Sequence, residues 1–128
     1  MTPAETVDEF IRRITSGDLH GALDLCTDDL EYDNVPMPTL AGKAAALGFL
    51  AGMLTEGVRT AWTVHRQVAG GDVVMNERTD EFWFGDTHIA LPVAGVFELR
   101  DGLIALWRDF FDLRSFEQQM AGEAPSPA

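Results

Sequence analysis

The apolar period of this chain changes near Val58, and nothing else in the sequence limits the fold so tightly. Before that point apolar residues recur every three to four positions, and after it they alternate. A 3.6-residue period builds a helix with one buried stripe, whereas a period of two builds a strand with one buried face. Val7, Phe10, Ile11 and Ile14 make the first stripe. Thr2-Pro3-Ala4-Glu5 starts that helix, with Thr2 and Glu5 spaced for a capping box and Pro3 in the first turn, and Gly17 ends it. Asp18 caps a second helix whose inward residues are Leu19, Ala22, Leu23 and Cys26, and Thr27-Asp28-Asp29 breaks it. Leu30 to Val35 reads as a short strand, with Leu30, Tyr32 and Asn34 on one face. Pro36-Met37-Pro38-Thr39 then forces an extended turn. A third helix runs from about Lys43 to Leu54, with Leu47, Leu50, Met53 and Leu54 inward and Gly57 closing it.

From Val58 onward four strands follow, joined by tight turns. Val58, Thr60, Trp62, Val64 and Val68 share a face of the first. Gly70-Gly71-Asp72 turns into the second, Val73 to Phe84, and Gly85-Asp86 turns out of it. Pro92 in the third, Thr87 to Leu99, predicts a bulge or irregularity. Arg100-Asp101-Gly102 is a hairpin turn, Leu103 to Phe111 the last strand, and Ser115 to about Met120 a short final helix. Helices first and paired strands afterwards predict an α+β domain, with helices on one face of a curved, antiparallel-rich sheet. The expected domain is 1–121. Residues 122–128, ending in Ala124-Pro125-Ser126-Pro127-Ala128, are expected to be a disordered tail. Both faces of the last strand are apolar, Ile104, Leu106 and Phe110 opposing Leu103, Trp107 and Phe111. A sheet covered by helices on one side only should be polar on the other, so a homodimer is expected.

Bulk properties narrow the function. At 128 residues the chain builds one core. Nine Lys and Arg against 21 Asp and Glu give a net charge of −12, the wrong sign for nucleic acid or an anionic membrane surface. The one cysteine, Cys26, permits no intrachain disulfide and no thiolate cluster, and reads as a small buried apolar residue. No basic-then-apolar leader and no membrane-spanning run appear, which predicts a cytoplasmic protein. His20, His65 and His88 lack metal-ligand spacing, Gly70-Gly71 precedes no helix that would make it a phosphate loop, and no Ser or Cys sits in a nucleophile elbow. No metal and no cofactor are expected.

The chemistry lies in the second strand. Alternation places Val74, Asn76, Arg78, Asp80, Phe82 and Phe84 on one face, so an Arg and an Asp sit among apolar neighbours. Burying them is costly unless they pair or react. Asp109 shares its face of the last strand with Trp107 and Phe111, and Tyr32 and Asn34 lie on an earlier strand. Two carboxyls in apolar settings that share a proton can serve as acid and base at neutral pH. A structural cross-strand ion pair would have the same signature. Met53, Phe82, Leu91, Val93, Phe111, Phe116 and Leu50 are the expected lining of an apolar pocket, although plain core packing would place many of them inside as well.

Four segments, in order, favour the catalytic reading: Tyr32-Asp33-Asn34-Val35-Pro36-Met37-Pro38, Glu77-Arg78-Thr79-Asp80, Gly95-Val96-Phe97-Glu98-Leu99, and the run from Trp107-Arg108-Asp109 to Phe116. Their order and spacing, from about Ala4 to Met120, resemble the limonene epoxide hydrolase family of the nuclear transport factor 2-like and SnoaL-like superfamily. Phe110 departs from the pattern, standing where a Tyr is common. The resemblance implies a cone-shaped fold with a curved mixed sheet, a homodimer and a deep apolar pocket. It further implies one-step hydrolysis of an apolar epoxide, terpene-like or cyclic, to a vicinal diol without metal or covalent intermediate. By that analogy Asp109, with Tyr32 and Asn34, holds the water and takes its proton, Asp80 protonates the epoxide oxygen, and Arg78 bridges the two carboxyls. Rival readings are a ketosteroid-isomerase-like or polyketide-cyclase-like acid/base enzyme, which needs no water-holding pair, and a non-catalytic binder of apolar ligands.

Overall fold

The computed structural model describes residues 1–123. The Ala124-to-Ala128 stretch lies outside the described residues. Helix α1 (Pro3–Thr15) begins with both halves of the capping box made, Glu5 N donating to Thr2 Oγ1 at 3.2 Å and Thr2 N to Glu5 Oε1 at 2.8 Å. Its stripe, Val7, Phe10, Ile11 and Ile14, is buried. Helix α2 (Leu19–Leu23) is capped by Asp18 and is shorter than its apolar stripe suggested. Cys26 and Thr27-Asp28-Asp29 belong to strand β1 (Cys26–Val35) instead. The capture is tertiary: Ile104 N donates to Leu25 O at 2.8 Å and Cys26 lies level with Ile104, so the last strand draws this segment into the ladder. Cys26 is buried all the same, and that burial pushes its thiol up to about 12.

A two-residue strand not foreseen from sequence, β2 (Leu40–Ala41), follows the proline turn and pairs with Tyr32 and Glu31. Helix α3 (Lys43–Met53) crosses the inner face, then β3 (Arg59–Gly70), β4 (Val73–Phe84), β5 (Thr87–Arg100) and β6 (Leu103–Phe110) complete the sheet, and α4 (Leu113–Met120) closes one end behind its N-cap, Asp112. The strand order is β2-β1-β6-β5-β4-β3, with β1 parallel to β6 and every other pair antiparallel. This is a mixed, curved α+β sheet with α1, α2 and α3 on one side. Asp101 and Gly102, with φ of 53° and 81°, make the β5–β6 hairpin, since two successive positive φ values match the twist of the flanking strands.

Two irregularities differ from the sequence reading. Pro92 sits in unbroken register opposite Thr79, without a bulge in that pairing. Ala90, two residues earlier, turns its N–H and C=O away from β4 to the Gln119 side chain of α4, and Pro92 faces the same edge. β6 pairs only from Ala94 onward, so the missing N–H of Pro92 disrupts no ladder bond. The register shifts elsewhere: in β3 between Val64 and Arg66, in the β5–β6 pairing between Glu98 and Leu99, and in the β1–β6 pairing between Cys26 and Glu31. The β3 bulge shifts the alternation by one residue, so Gln67 turns inward and Val68, expected inside, is 68% exposed.

Trp107 anchors the core, fully buried, stacked on Tyr32 with centroids 3.8 Å apart and edge-on to Phe10 at 4.9 Å. A second cluster, built on Phe82, Ile89, Leu91 and Val93, lies toward α4. The outer sheet face keeps Met75 and Phe110 half-exposed beside Arg108, which donates to Asp33 Oδ2 at 2.7 Å and Glu31 Oε2 at 2.8 Å. No helix among the described residues is long and apolar enough to cross a membrane.

Candidate active site

Between the inner sheet face, α3 and α4 lies a cavity of about 570 Å³. Its walls are apolar because strand alternation sends Phe82, Leu91 and Val93 to the same side. Met53, Phe111 and Phe116 join them, as expected from sequence. Leu50 does not. It is fully buried in the main core, one turn beyond Ala46 on the same stripe of α3. The stripe rotated toward the cavity carries Phe49 and Met53, with Gly48 and Gly52 beside it. Met37, Phe49, Trp62, Leu113 and Glu117 also line the cavity and were not foreseen as site residues. A helical period marks a helix as amphipathic but does not tell which edge of its stripe meets a void.

At the closed end the walls turn polar. Asp80, Asp109, Tyr32 and Asn34 all reach the cavity, and Arg78 lies just behind them, 1% exposed. The sheet register assembles them: Asn34 is level with Asp109, and Trp62 with Asp80. Arg78 reaches both carboxyls. Its Nε and Nη2 donate to Asp80 Oδ1 and Oδ2 at 3.0 and 2.9 Å, and Nη2 also donates to Asp109 Oδ2 at 2.9 Å. The Trp62 ring lies 4.8 Å from the guanidinium carbon and is steadied by its own Nε1–H donating to Thr60 Oγ1 at 3.0 Å. Asp109 Oδ1 is buried beside Gly95 and accepts no hydrogen bond from any described residue, a polar atom left without a partner.

Burial and charge set the protonation states. Desolvation raises the Asp80 carboxyl to about 6, a rise that the Arg78 guanidinium opposes and the Asp109 charge assists. Burial and the Asp109 charge together outweigh the guanidinium at Asp80. Burial alone would lower the Arg78 pKa, but the carboxylates of Asp109 and Asp80 outweigh it and keep the guanidinium charged. For Tyr32, burial and then the Asp109 charge push the phenol above its ordinary range, so its hydroxyl keeps its proton and can donate it in a hydrogen bond. The site thus offers a weak acid, a second carboxyl, a bridging cation and a hydroxyl–amide pair at the end of an apolar cavity.

A family model described as the limonene-1,2-epoxide hydrolase catalytic domain matches residues 1–121. The chain belongs to the limonene-1,2-epoxide hydrolase family. Over 107 residues it is 35% identical to epoxide hydrolase EphG of Mycobacterium tuberculosis, a match covering 84% of this chain and 71% of that one. The solved structure of an M. tuberculosis LEH-like epoxide hydrolase superposes with a TM-score of 0.83 at 30% identity, covering 94% and 90% of the two chains. An NTF2-like protein of unknown function from Cytophaga hutchinsonii gives a TM-score of 0.76 at 18% identity over 91% and 96%, a likeness of fold alone. Within this family member, the four residues at the cavity end and Arg78 behind them are the ones the sequence singled out.

Proposed function

We propose that this protein hydrolyses an apolar epoxide to a vicinal diol in one step, by direct attack of water. One observation carries the reading: two carboxyls at one end of an apolar cavity share one guanidinium, and burial raises the carboxyl of one of them, Asp80. Asp109 takes a proton from a water that Tyr32 and Asn34 orient. The water oxygen bonds to an epoxide carbon as the C–O bond on that carbon breaks, and Asp80 delivers its proton to the departing oxygen. Hydroxide and free alkoxide are both avoided, and each proton transfer contributes roughly 10²–10⁴-fold. The trio carries the same net charge before and after, because Asp109 gains the proton that Asp80 loses. Asp80 is then reprotonated and Asp109 deprotonated through solvent. The largely apolar cavity suits a terpene-like or cyclic epoxide.

Turnover of limonene oxide and cyclohexene oxide in ¹⁸O water tests the proposal. Expected are labelled diol over many turnovers, no label on the protein after one turnover, and no diol from folded Asp80→Asn or Asp109→Asn. A folded wild type that binds apolar ligands and makes no diol from any epoxide would move the reading to an isomerase-like or binding role. The outer sheet face, with Met75, Val68 and Phe110 exposed, supports a homodimer in which a second copy covers it. Light scattering should give twice the 14.0 kDa chain mass, and Phe110→Asp should return the monomer.

A further inference from the structure

One row of residues crosses the sheet at the site. Gln67 on β3 is level with Asn76 on β4, Asn76 with Gly95 on β5, Gly95 with Asp109 on β6, and Asp109 with Asn34 on β1. Gly95 leaves a gap in that row, and the Arg78 guanidinium fills it: a Cβ there would lie 2.3 Å from Nη1. Nη1 donates to Asn76 Oδ1 at 3.0 Å, Asn76 Nδ2 donates to Gln67 Oε1 at 3.0 Å, and Gln67 Nε2 donates to Asp8 Oδ1 on α1 at 2.9 Å. The chain of bonds has a fixed direction. A guanidinium can only donate and a carboxylate can only accept, so the ends decide which way both amides face. Gln67 joins this row only because the β3 bulge turns it inward.

On the hydrolase reading above, we propose that Asn76, held by Gln67 and Asp8, is a positioning residue that fixes the Arg78 guanidinium and so the placement of Asp80 against Asp109. The reaction itself creates the need. Three of the four hydrogen bonds that the Arg78 guanidinium donates to described residues go to carboxyls, and Asn76 is the neutral acceptor among them. As the proton balance passes from Asp80 to Asp109, the electrostatic pull on the guanidinium moves from the Asp109 side to the Asp80 side. An acceptor whose charge does not change, braced from the protein surface, keeps the cation midway. Asn76 is absent from the cavity lining, so it acts through Arg78 and not on substrate.

The test pairs kinetics with a titration that needs no substrate. Asn76→Ala should lower kcat roughly 10- to 100-fold while KM stays within about twofold, the pattern of a misplaced catalytic group. Gln67→Met, of similar length without the amide, should lower kcat less, about 3- to 10-fold, and it carries the test should Asn76→Ala fail to fold. In ¹³C NMR the Asp80 carboxyl, faced by Arg78 on its own strand, Asp109 from β6 and Tyr32 from β1, should titrate at higher pH in both variants as the guanidinium loosens. A loss of stability alone would leave that titration and the kcat-to-KM split unmoved. Folded variants with wild-type kcat and an unmoved Asp80 titration would overturn the tether. A moved titration in a protein that turns over no epoxide would keep the tether and remove the hydrolase reading.

Discussion

Gly95→Ala adds a single methyl at the most crowded point of the site. The new Cβ would lie 2.3 Å from Arg78 Nη1, 2.8 Å from Asn76 Oδ1 and 3.0 Å from Asp109 Oδ1, whereas ordinary contact begins near 3.4 Å. Arg78 must therefore retreat by about 1 Å. Its hydrogen bonds run at 2.9–3.0 Å, so a shift of that size away from an acceptor breaks the bond. Losing one charge-assisted bond costs about 1.5–3 kcal/mol, and overpacking alone costs about 1–3 kcal/mol. These overlap, and a total near 3 kcal/mol corresponds to a Tm roughly 10 °C lower in a chain of this size. A displacement of about 1 Å in a catalytic group costs on the order of 100-fold in rate, about 2.7 kcal/mol of barrier. Thermal unfolding and initial rates of epoxide hydrolysis, measured on the same preparation, read both effects. Gly70→Ala, at the exposed end of β3 and away from the cavity, is the control: its Cβ meets nothing within 4 Å, so it should leave both readings close to wild type. If Gly95→Ala keeps its Tm within about 2 °C and its kcat within twofold, the guanidinium is not confined by this backbone and the packing argument is wrong.

The raised Asp80 carboxyl makes two further predictions. With the acid at about 6 in the free enzyme, kcat/KM should fall as pH rises past 6, and at pH 7 about a tenth of the enzyme holds the proton; a profile flat from pH 5 to 8 would exclude Asp80 as the acid. For stability, the folded pKa of about 6 lies above the ordinary 3.8, so the native state binds the extra proton between those values. The contribution is full below about pH 4, is lost as pH rises through 6, and is worth about 3 kcal/mol. Denaturant titrations of wild type and Asp80→Asn across that window should differ in slope, wild type losing stability relative to the variant as pH rises. Leu50→Ala should cost about 2–5 kcal/mol and leave substrate preference alone, while Phe49→Ala should cost less and shift preference toward bulkier epoxides, since only Phe49 borders the cavity. Unfolding curves and relative kcat/KM over a graded series of epoxides separate the two.

Much of this architecture could be read from the chain because local rules and tertiary needs agreed. The α1 stripe and its capping box, the hairpin turns and the alternating face of β4 each follow from a period or a turn chemistry that the packed protein keeps. Asp80, Arg78 and Asp109 were legible for the opposite reason. Charged residues on an apolar face break the pattern, and such breaks concentrate at functional positions. The start of β1 was illegible because the pairing that decides it comes from β6, nearly eighty residues later.

The support behind the site was harder to see, and the reason lies in the β3 bulge. One extra residue near His65 reverses which face every later residue of β3 occupies, and nothing in Thr63-Val64-His65-Arg66-Gln67-Val68 announces it. Under simple alternation Val68 belongs inside and Gln67 outside. With the bulge, Val68 goes to the outer face, where a second copy of the chain would cover it, and Gln67 goes to Asn76. A single irregularity in the ladder therefore supplies both an apolar residue to the proposed dimer face and an amide to the proposed Arg78 tether. Asn76 and Gly95 are intelligible only once that row is known. In a sequence they read as an amide and a small residue in two strands; side by side they form the acceptor and the gap into which one guanidinium fits.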